Sequence, residues 1–232
     1  MRDDLFGIGL YTPVEAERLL KVPSRKISRW LRGHQIKGKG NYEPLWTPEV
    51  DLEDGKVFLG FRDLMEVRVA SAFIECGLSA RRVRTAIDEA RRIIGQDHPL
   101  ATNRFRTDGR EIFLHVIETG EDGEQRERLL NLFKKQYEFK GFIEPILKTV
   151  DLGEDGTPSA WWPAGRRFLI VIDPARAFGA PIDSASSVPT SVLANAAREM
   201  GLREAARAYE VSESSVRNAL EFETSMEYRQ AA

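Results

Sequence analysis

Residues 11–33 read YTPVEAERLLKVPSRKISRWLRG, and the way this stretch folds decides the class of the chain. Thr12 suits a helix N-cap, Pro13 suits the first helical position, and Val22-Pro23 interrupts the pattern before a second start at Ser24. Two short helices follow. Ala16, Leu19, Leu20, Val22, Ile27, Trp30 and Leu31 then form one apolar set across the pair, which leaves Arg25, Lys26, Ser28, Arg29 and Arg32 for the outer surface.

Charge sharpens this reading. From Lys21 to Gly40 the chain carries seven Lys or Arg and no Asp or Glu. The glycine-rich part, GHQIKGKGNY at 33–42, suits a loop or wing beside a helix pair, with Lys37 and Lys39 on it. A basic run by itself reads equally well as a solvated face, but behind a helix pair it points to phosphate contact. The whole chain of 232 residues has a formal charge of −2. Attraction to nucleic acid must therefore come from a local face rather than from an overall field.

The length allows one large or two modest domains, and a hydrophobic fraction of 42% is ordinary for a chain with a buried core. Cys76 is the single cysteine, which excludes an internal disulfide framework and a cysteine-rich zinc site, and its expected role is a small buried group on a helix. MRDDLFGIGL has acids where a secretory signal has bases, and no stretch approaches the roughly 18 apolar residues of a membrane span. A cytoplasmic protein with no membrane association is expected.

Farther along, KVFLGF at 56–61 is strand-like, and FRDLMEVRVASAFIEC at 61–76 has apolar residues around most of a helical circumference. Gly77 breaks that helix and Ser79 caps the next, ARRVRTAIDEARRIIG, with Val83, Ile87 and Ile94 as its buried stripe. Arg81, Arg82 and Arg84 are placed either to reach a phosphate backbone or to form a solvated surface. NRFRTDGREIFLHVIE at 103–118 reads as a hairpin about a DG turn, EQRERLLNLFKKQYEFKGFIEPIL as helix, and RFLIVID at 167–173 as a short apolar strand. Trp161 and Trp162 are suited to packing on that strand, or to stacking a base or aromatic ligand.

The last third gives three helical segments, the first capped by Thr190 or Ser191, the third by Ser212. In LREAARAYEVSESSVRNALEFE at 202–223, Ala205, Ala206, Tyr209, Val211, Val216, Ala219 and Leu220 fall at the inward positions of a helix-turn-helix. Ser214, Arg217 and Asn218 lie on its exposed recognition face beside Glu213, where Arg217 suits guanine and Asn218 adenine. Glu213 opposes phosphate, so DNA reading, binding of a partner protein and dimer contact are all open to this unit.

An enzyme is not expected. His34, His98 and His115 are scattered without metal-binding spacing, ETGEDGE at 118–124 lacks the ligand alternation of a calcium loop, and there is no phosphate-cradling glycine loop or nucleophile elbow. No catalytic residue, metal ligand or cofactor is assigned.

YTPVEAERLLKVPSRKISRWLRG followed by LGFRDLMEVRVASAFIECGLSARRVRTAIDEARRIIGQDHPLA resembles the MerR-like DNA-binding family in its order of helix pair, wing and second helix pair. With WWPAGR, VIDPARAFGAPI and VPTSVL, nearly the full chain resembles antitoxin regulators in which a MerR-like head precedes a small helical domain of the VapB type. That resemblance implies a toxin partner with a PIN-like nuclease fold. In one place the chain departs from the pattern. A Gly-Thr-Arg run usually precedes the Pro-Thr pair, and here Ala185, Ser186, Ser187 and Val188 stand instead.

The expected protein is mainly α with a small β component: a winged helix-turn-helix region at 1–100, a mixed α/β region at 101–175, and a three-helix unit at 176–232. The expected function is a noncatalytic antitoxin and autoregulator that binds operator DNA as a homodimer. The alternatives are a ligand-responsive MerR-like regulator with an aromatic pocket in the middle region, and a toxin-binding protein without specific DNA recognition.

Overall fold

A computed structural model describes residues 7–36, 40–50, 55–118 and 143–228. The protein is mainly helical, with a small antiparallel sheet, and divides into two compact units. One comprises residues 11–148 and 152–158, the other residues 1–10, 149–151 and 159–232.

In the first unit, α1 (Pro13–Leu20) starts as the sequence requires. The Thr12 hydroxyl accepts the Glu15 N–H at 3.3 Å, the Glu15 carboxylate accepts the Thr12 N–H at 2.7 Å, and Pro13 holds the first helical position. Lys21, in the left-handed region at φ 63°, ends the helix, and α2 (Ser24–Arg32) begins two residues after Val22. Ala16, Val22, Ile27, Trp30 and Leu31 are buried together. A two-stranded antiparallel hairpin follows, β1 (His34–Ile36) with β2 (Gly40–Tyr42), in the register His34↔Tyr42 and Ile36↔Gly40. KVFLGF contributes only an isolated bridge, between Leu59 and Tyr11.

Helix α3 (Phe61–Glu75) buries residues on every side and stops before Gly77, as its all-round apolar pattern implies. Cys76 sits at its C-cap and is half-buried rather than fully buried, with its thiol raised by burial and by the neighbouring Glu75. Helix α4 (Ala80–Ile94) is capped by Ser79, which accepts the Arg82 N–H at 3.3 Å, and it buries Val83, Ala86, Ile87, Ala90 and Ile94.

The expected hairpin at 103–118 is a helix, α5 (Asn103–Glu118), and Asp108-Gly109 lies in its middle. Thr102 caps it through the Phe105 N–H at 3.1 Å. Phe105, Ile112 and Phe113 recur at i, i+7 and i+8 and are buried. Gly109 is there for space, since a Cβ would lie 2.9 Å from the Phe105 ring. Phe73 stacks on Phe113 at 4.0 Å between centroids and meets Phe105 edge-on at 6.1 Å, so the helix is chosen by an aromatic core the local DG signal does not contain. Most of the helix read at 124–147, and the acidic run at 119–124, lie outside the described residues.

The second unit holds a sheet in the order β3-β4-β5-β6: Val150–Leu152, Pro158–Trp161, Ile170–Ile172 and Pro181–Asp183. The pairs β4–β5 and β5–β6 are antiparallel, with Val171 opposite Ile182. Trp161 is buried, whereas the half-buried Trp162 donates its indole N–H to Asp151 at 2.7 Å under the Arg166 guanidinium.

Three helices complete this unit, α6 (Thr190–Met200), α7 (Leu202–Ala208) and α8 (Glu213–Tyr228). Leu193, Ala196, Ala197, Ala205, Ala206, Val216 and Ala219 form their core, with Val188, Leu202, Val211 and Leu220 against it. Two expectations fail here. Tyr209 is 39% exposed at the end of α7 rather than inward. Thr190 is the first residue of α6 rather than its cap, and its buried hydroxyl donates to the Glu223 carboxylate on α8.

Gly33 ends α2 at φ 68°, and a Cβ there would stand 2.3 Å from the Tyr42 carbonyl oxygen. The Gly33→Ala variant should therefore lose about 2 kcal/mol or more of stability, from left-handed strain plus a backbone clash. Denaturant unfolding followed by circular dichroism measures it, and a loss near zero would show that the hairpin base yields.

Candidate nucleic-acid interface

Burying Ile27, Trp30 and Leu31 turns the rest of α2 outward. Arg25, Arg29 and Arg32 are exposed at i, i+4 and i+7, one stripe along the helix, and α2 contains no acidic residue. Arg29 Nε donates to the Arg25 carbonyl at 3.3 Å, which keeps its side chain along the helix surface. The Lys26 ammonium lies 5.0 Å from the Trp30 ring centroid, a cation–π contact that leaves it half-buried. Ser28 is half-buried between them, and Arg32 donates to the Gly55 carbonyl. Lys37 and Lys39 lie outside the described residues.

The N-terminus of α2 is closed by its own chain. Glu17 on α1 accepts the Ser24 N–H at 3.0 Å, and the Ser24 hydrogen bonds hold that carboxyl below its usual range. Any phosphate on this face would meet arginine side chains rather than free helix N–H groups. Of the three arginines at the start of α4, Arg81 is exposed, Arg82 is buried, and Arg84 spends two donors on the carbonyls of Glu43 and Pro44. Farther along, Arg91–Asp88 and Arg92–Glu89 pairs make an ordinary solvated helix surface.

On α8 the polar set is divided. Ser214 is exposed with its hydroxyl 2.7 Å from that of Ser212, whose oxygen also accepts the Ser215 N–H at 3.0 Å. Asn218 is half-buried and donates its amide to the Phe168 carbonyl at 3.0 Å. Arg217 is exposed, close in sequence to the exposed Glu213 and Glu221. The structure thus gathers a purely basic face on α2 and a mixed one on α8.

Sequence reasoning missed the polar centre beneath the helix pair. Asp63, fully buried on α3, accepts the Trp46 indole N–H at 2.7 Å and the N–H groups of Glu49 and Gly60, each at 2.9 Å, and lies 2.9 Å from His98 Nε2. Glu66, one turn on and also fully buried, accepts the Leu100 N–H at 3.1 Å. Two acids on a helix apolar all round were the available signal. Burial pushes Glu66 up to about 8, and raises Glu49 as well. Burial alone would lower His98, but the Asp63 hydrogen bond and the surrounding carboxyl groups outweigh it and hold the imidazole above its ordinary value.

Among the described residues, no group of His, Cys, Asp and Glu is arranged to hold a metal ion, and no helix is long and apolar enough to cross a membrane. A groove of about 450 Å³ between α4 and α5 is lined by Ile93 and Ile112 together with charged and polar residues that include Glu89, Arg92, Asp108, Glu111 and His115.

No family model matches the chain. A protein of Mycobacterium tuberculosis (strain ATCC 25618 / H37Rv) named "Putative antitoxin VapB45" is 27% identical over 192 residues, spanning 79% of this chain and 80% of that one. This chain is similar to a VapB antitoxin. The X-ray crystal structure of Rv2018 from Mycobacterium tuberculosis is likewise similar, with a TM-score of 0.72 and 26% identity over 93% of this chain and 99% of that one.

The buried carboxyl cluster sets a pH dependence. Glu66 is raised from 4.5 to about 8, so the folded state keeps a proton that the unfolded chain releases, and stability falls as pH rises through that interval. His98, raised from 6.5, acts in the same sense, because its stabilising charge is lost as pH rises through the folded value. Denaturant midpoints should therefore fall between about pH 5 and pH 8. Glu66→Gln, which still accepts the Leu100 N–H, should flatten that decline, and an unchanged slope would remove Glu66 as its source.

Proposed function

We propose that the protein is the noncatalytic antitoxin of a toxin–antitoxin module, one that binds operator DNA through its N-terminal helix pair and hairpin and neutralises a PIN-like nuclease toxin. The observation that carries the DNA-binding part is the acid-free stripe Arg25, Arg29 and Arg32, held outward by the burial of Ile27, Trp30 and Leu31 and followed directly by a hairpin. Helix pair and hairpin in this order are what a MerR-like head requires. Similarity to a protein named as a VapB antitoxin supports the toxin partner.

In this reading, a two-fold homodimer sets paired α2 helices into successive major grooves. The arginines, with Lys26, Ser28, Lys37 and Lys39, supply phosphate contacts and salt-dependent affinity, and a few base-edge contacts choose the site. The unit ending in α8 engages the toxin or the second subunit. One N–H of its Asn218 amide is engaged by the Phe168 carbonyl, and Arg217 stands between the exposed Glu213 and Glu221, which favours a protein partner over base reading by Ser214, Arg217 and Asn218.

The test is a titration of the full chain against the DNA upstream of its own gene, with and without the protein encoded beside it. Arg25→Ala with Arg29→Ala should cost roughly 1–3 kcal/mol per residue and lower the slope of log K against log salt by about two, with folding intact. Wild-type-like binding by the double variant at moderate salt would remove α2 from the interface.

A further inference from the structure

The exit of the β1–β2 hairpin is held by a side chain that belongs to neither the hairpin nor the helix pair. Arg84, half-buried on α4, donates from Nε to the Pro44 carbonyl at 2.9 Å and from Nη2 to the Glu43 carbonyl. These are the first two residues after β2. The next residue, Leu45, donates its N–H to the Trp30 carbonyl of α2 at 2.7 Å, and both Leu45 and Trp46 are buried. Three consecutive residues thus connect the hairpin base to α2 on one side and to α4 on the other.

We propose that Arg84 is a positioning residue for duplex binding: it fixes the hairpin relative to the exposed stripe of α2 without itself touching DNA. The inference rests on the DNA-binding reading above. A hairpin of three-residue strands has too few ladder bonds to hold its own orientation, so its direction is set by how its base is anchored. A loosened base must be ordered when the duplex arrives, and that ordering is subtracted from the affinity. Arg84 suits this task because its rigid fork bridges two neighbouring carbonyls, which the point-like ammonium of lysine does not reproduce. With Nε and Nη2 engaged by protein carbonyls, it is expected to add nothing to counterion release from phosphate.

The experiment compares full-length wild type, Arg84→Lys and Arg84→Ala on the duplex upstream of the protein's own gene at several salt concentrations. Hydrogen exchange over residues 43–46 of the free proteins and thermal melts by circular dichroism accompany it. Both variants should bind roughly tenfold more weakly, the effect of two lost hydrogen bonds, with an unchanged salt slope, a faster-exchanging Leu45 amide and a cooperative melt. If Arg84→Ala does not fold, Arg84→Lys decides. Wild-type affinity in Arg84→Lys overturns the proposal, and a salt slope reduced by about one in Arg84→Ala overturns it by making Arg84 a direct phosphate contact. Unaltered affinity in both variants, with wild type binding normally, overturns the positioning role alone. Failure of wild type to bind removes the DNA-binding reading and the positioning role together.

Discussion

Everything in the N-terminal unit leans on one buried carboxylate. Asp63 has two oxygens and about four acceptor sites, and Trp46, Glu49, Gly60 and His98 take them all. A buried carboxyl group is costly to take out of water unless its acceptor sites are satisfied in this way, so each partner is held by the need of the others. The partners come from three stretches: residues 46–49 after the hairpin, the residue preceding α3, and the connection between α4 and α5. One side chain therefore ties the exit of the hairpin to the helices beneath it. Glu66 and His98 complete the centre with opposite strategies. The carboxyl is pushed toward its neutral form, and the imidazole toward its charged one.

That centre explains how a chain with a net charge of −2 presents a basic face. Acids are placed where they do structural work: Asp63 and Glu66 inside, Glu15 and Glu17 at the starts of α1 and α2. The outer side of α2 is left with three exposed arginines and no acid. At a Debye length near 10 Å in about 0.1 M salt, a phosphate approaching that stripe senses its nearest charges far more than the distant acids of the chain. Local arrangement outweighs the sum.

What was legible in the sequence was whatever a few adjacent residues decide. The Thr12 cap, Pro13, the break at Val22-Pro23 and the Ser79 cap each put a helix start where the structure has it. The misreadings come from partners distant in sequence. Asp108-Gly109 carries a turn signal, yet Phe73 of α3 makes the helical placement of Phe105 and Phe113 the one that fills the core. Thr190 looks like a cap, but its hydroxyl is claimed by Glu223, thirty-three residues on. Arg84 looks like a candidate for phosphate, and it is the carbonyls of Glu43 and Pro44, forty residues back, that occupy it. The stripe Arg25, Arg29 and Arg32 was legible because helical periodicity alone fixes which side of α2 is buried.

The same reasoning separates the two helix pairs. At α2 the apolar residues set the orientation, and the polar side chains are left facing outward. At α8, Val216 and Ala219 anchor the helix in the same manner, but the outward set is partly consumed: Asn218 by the Phe168 carbonyl, Ser212 by the first turn of its own helix. Arg217 remains, flanked in sequence by the exposed Glu213 and Glu221 at positions i−4 and i+4. Bringing a phosphate backbone to this surface sets its charge against two carboxylates for the gain of one guanidinium. A protein surface with its own cations has the opposite balance. The proposed division, DNA for α2 and a protein partner for α8, rests on the sign of the neighbouring charges: no acid on α2, and an acid on either side of Arg217 on α8.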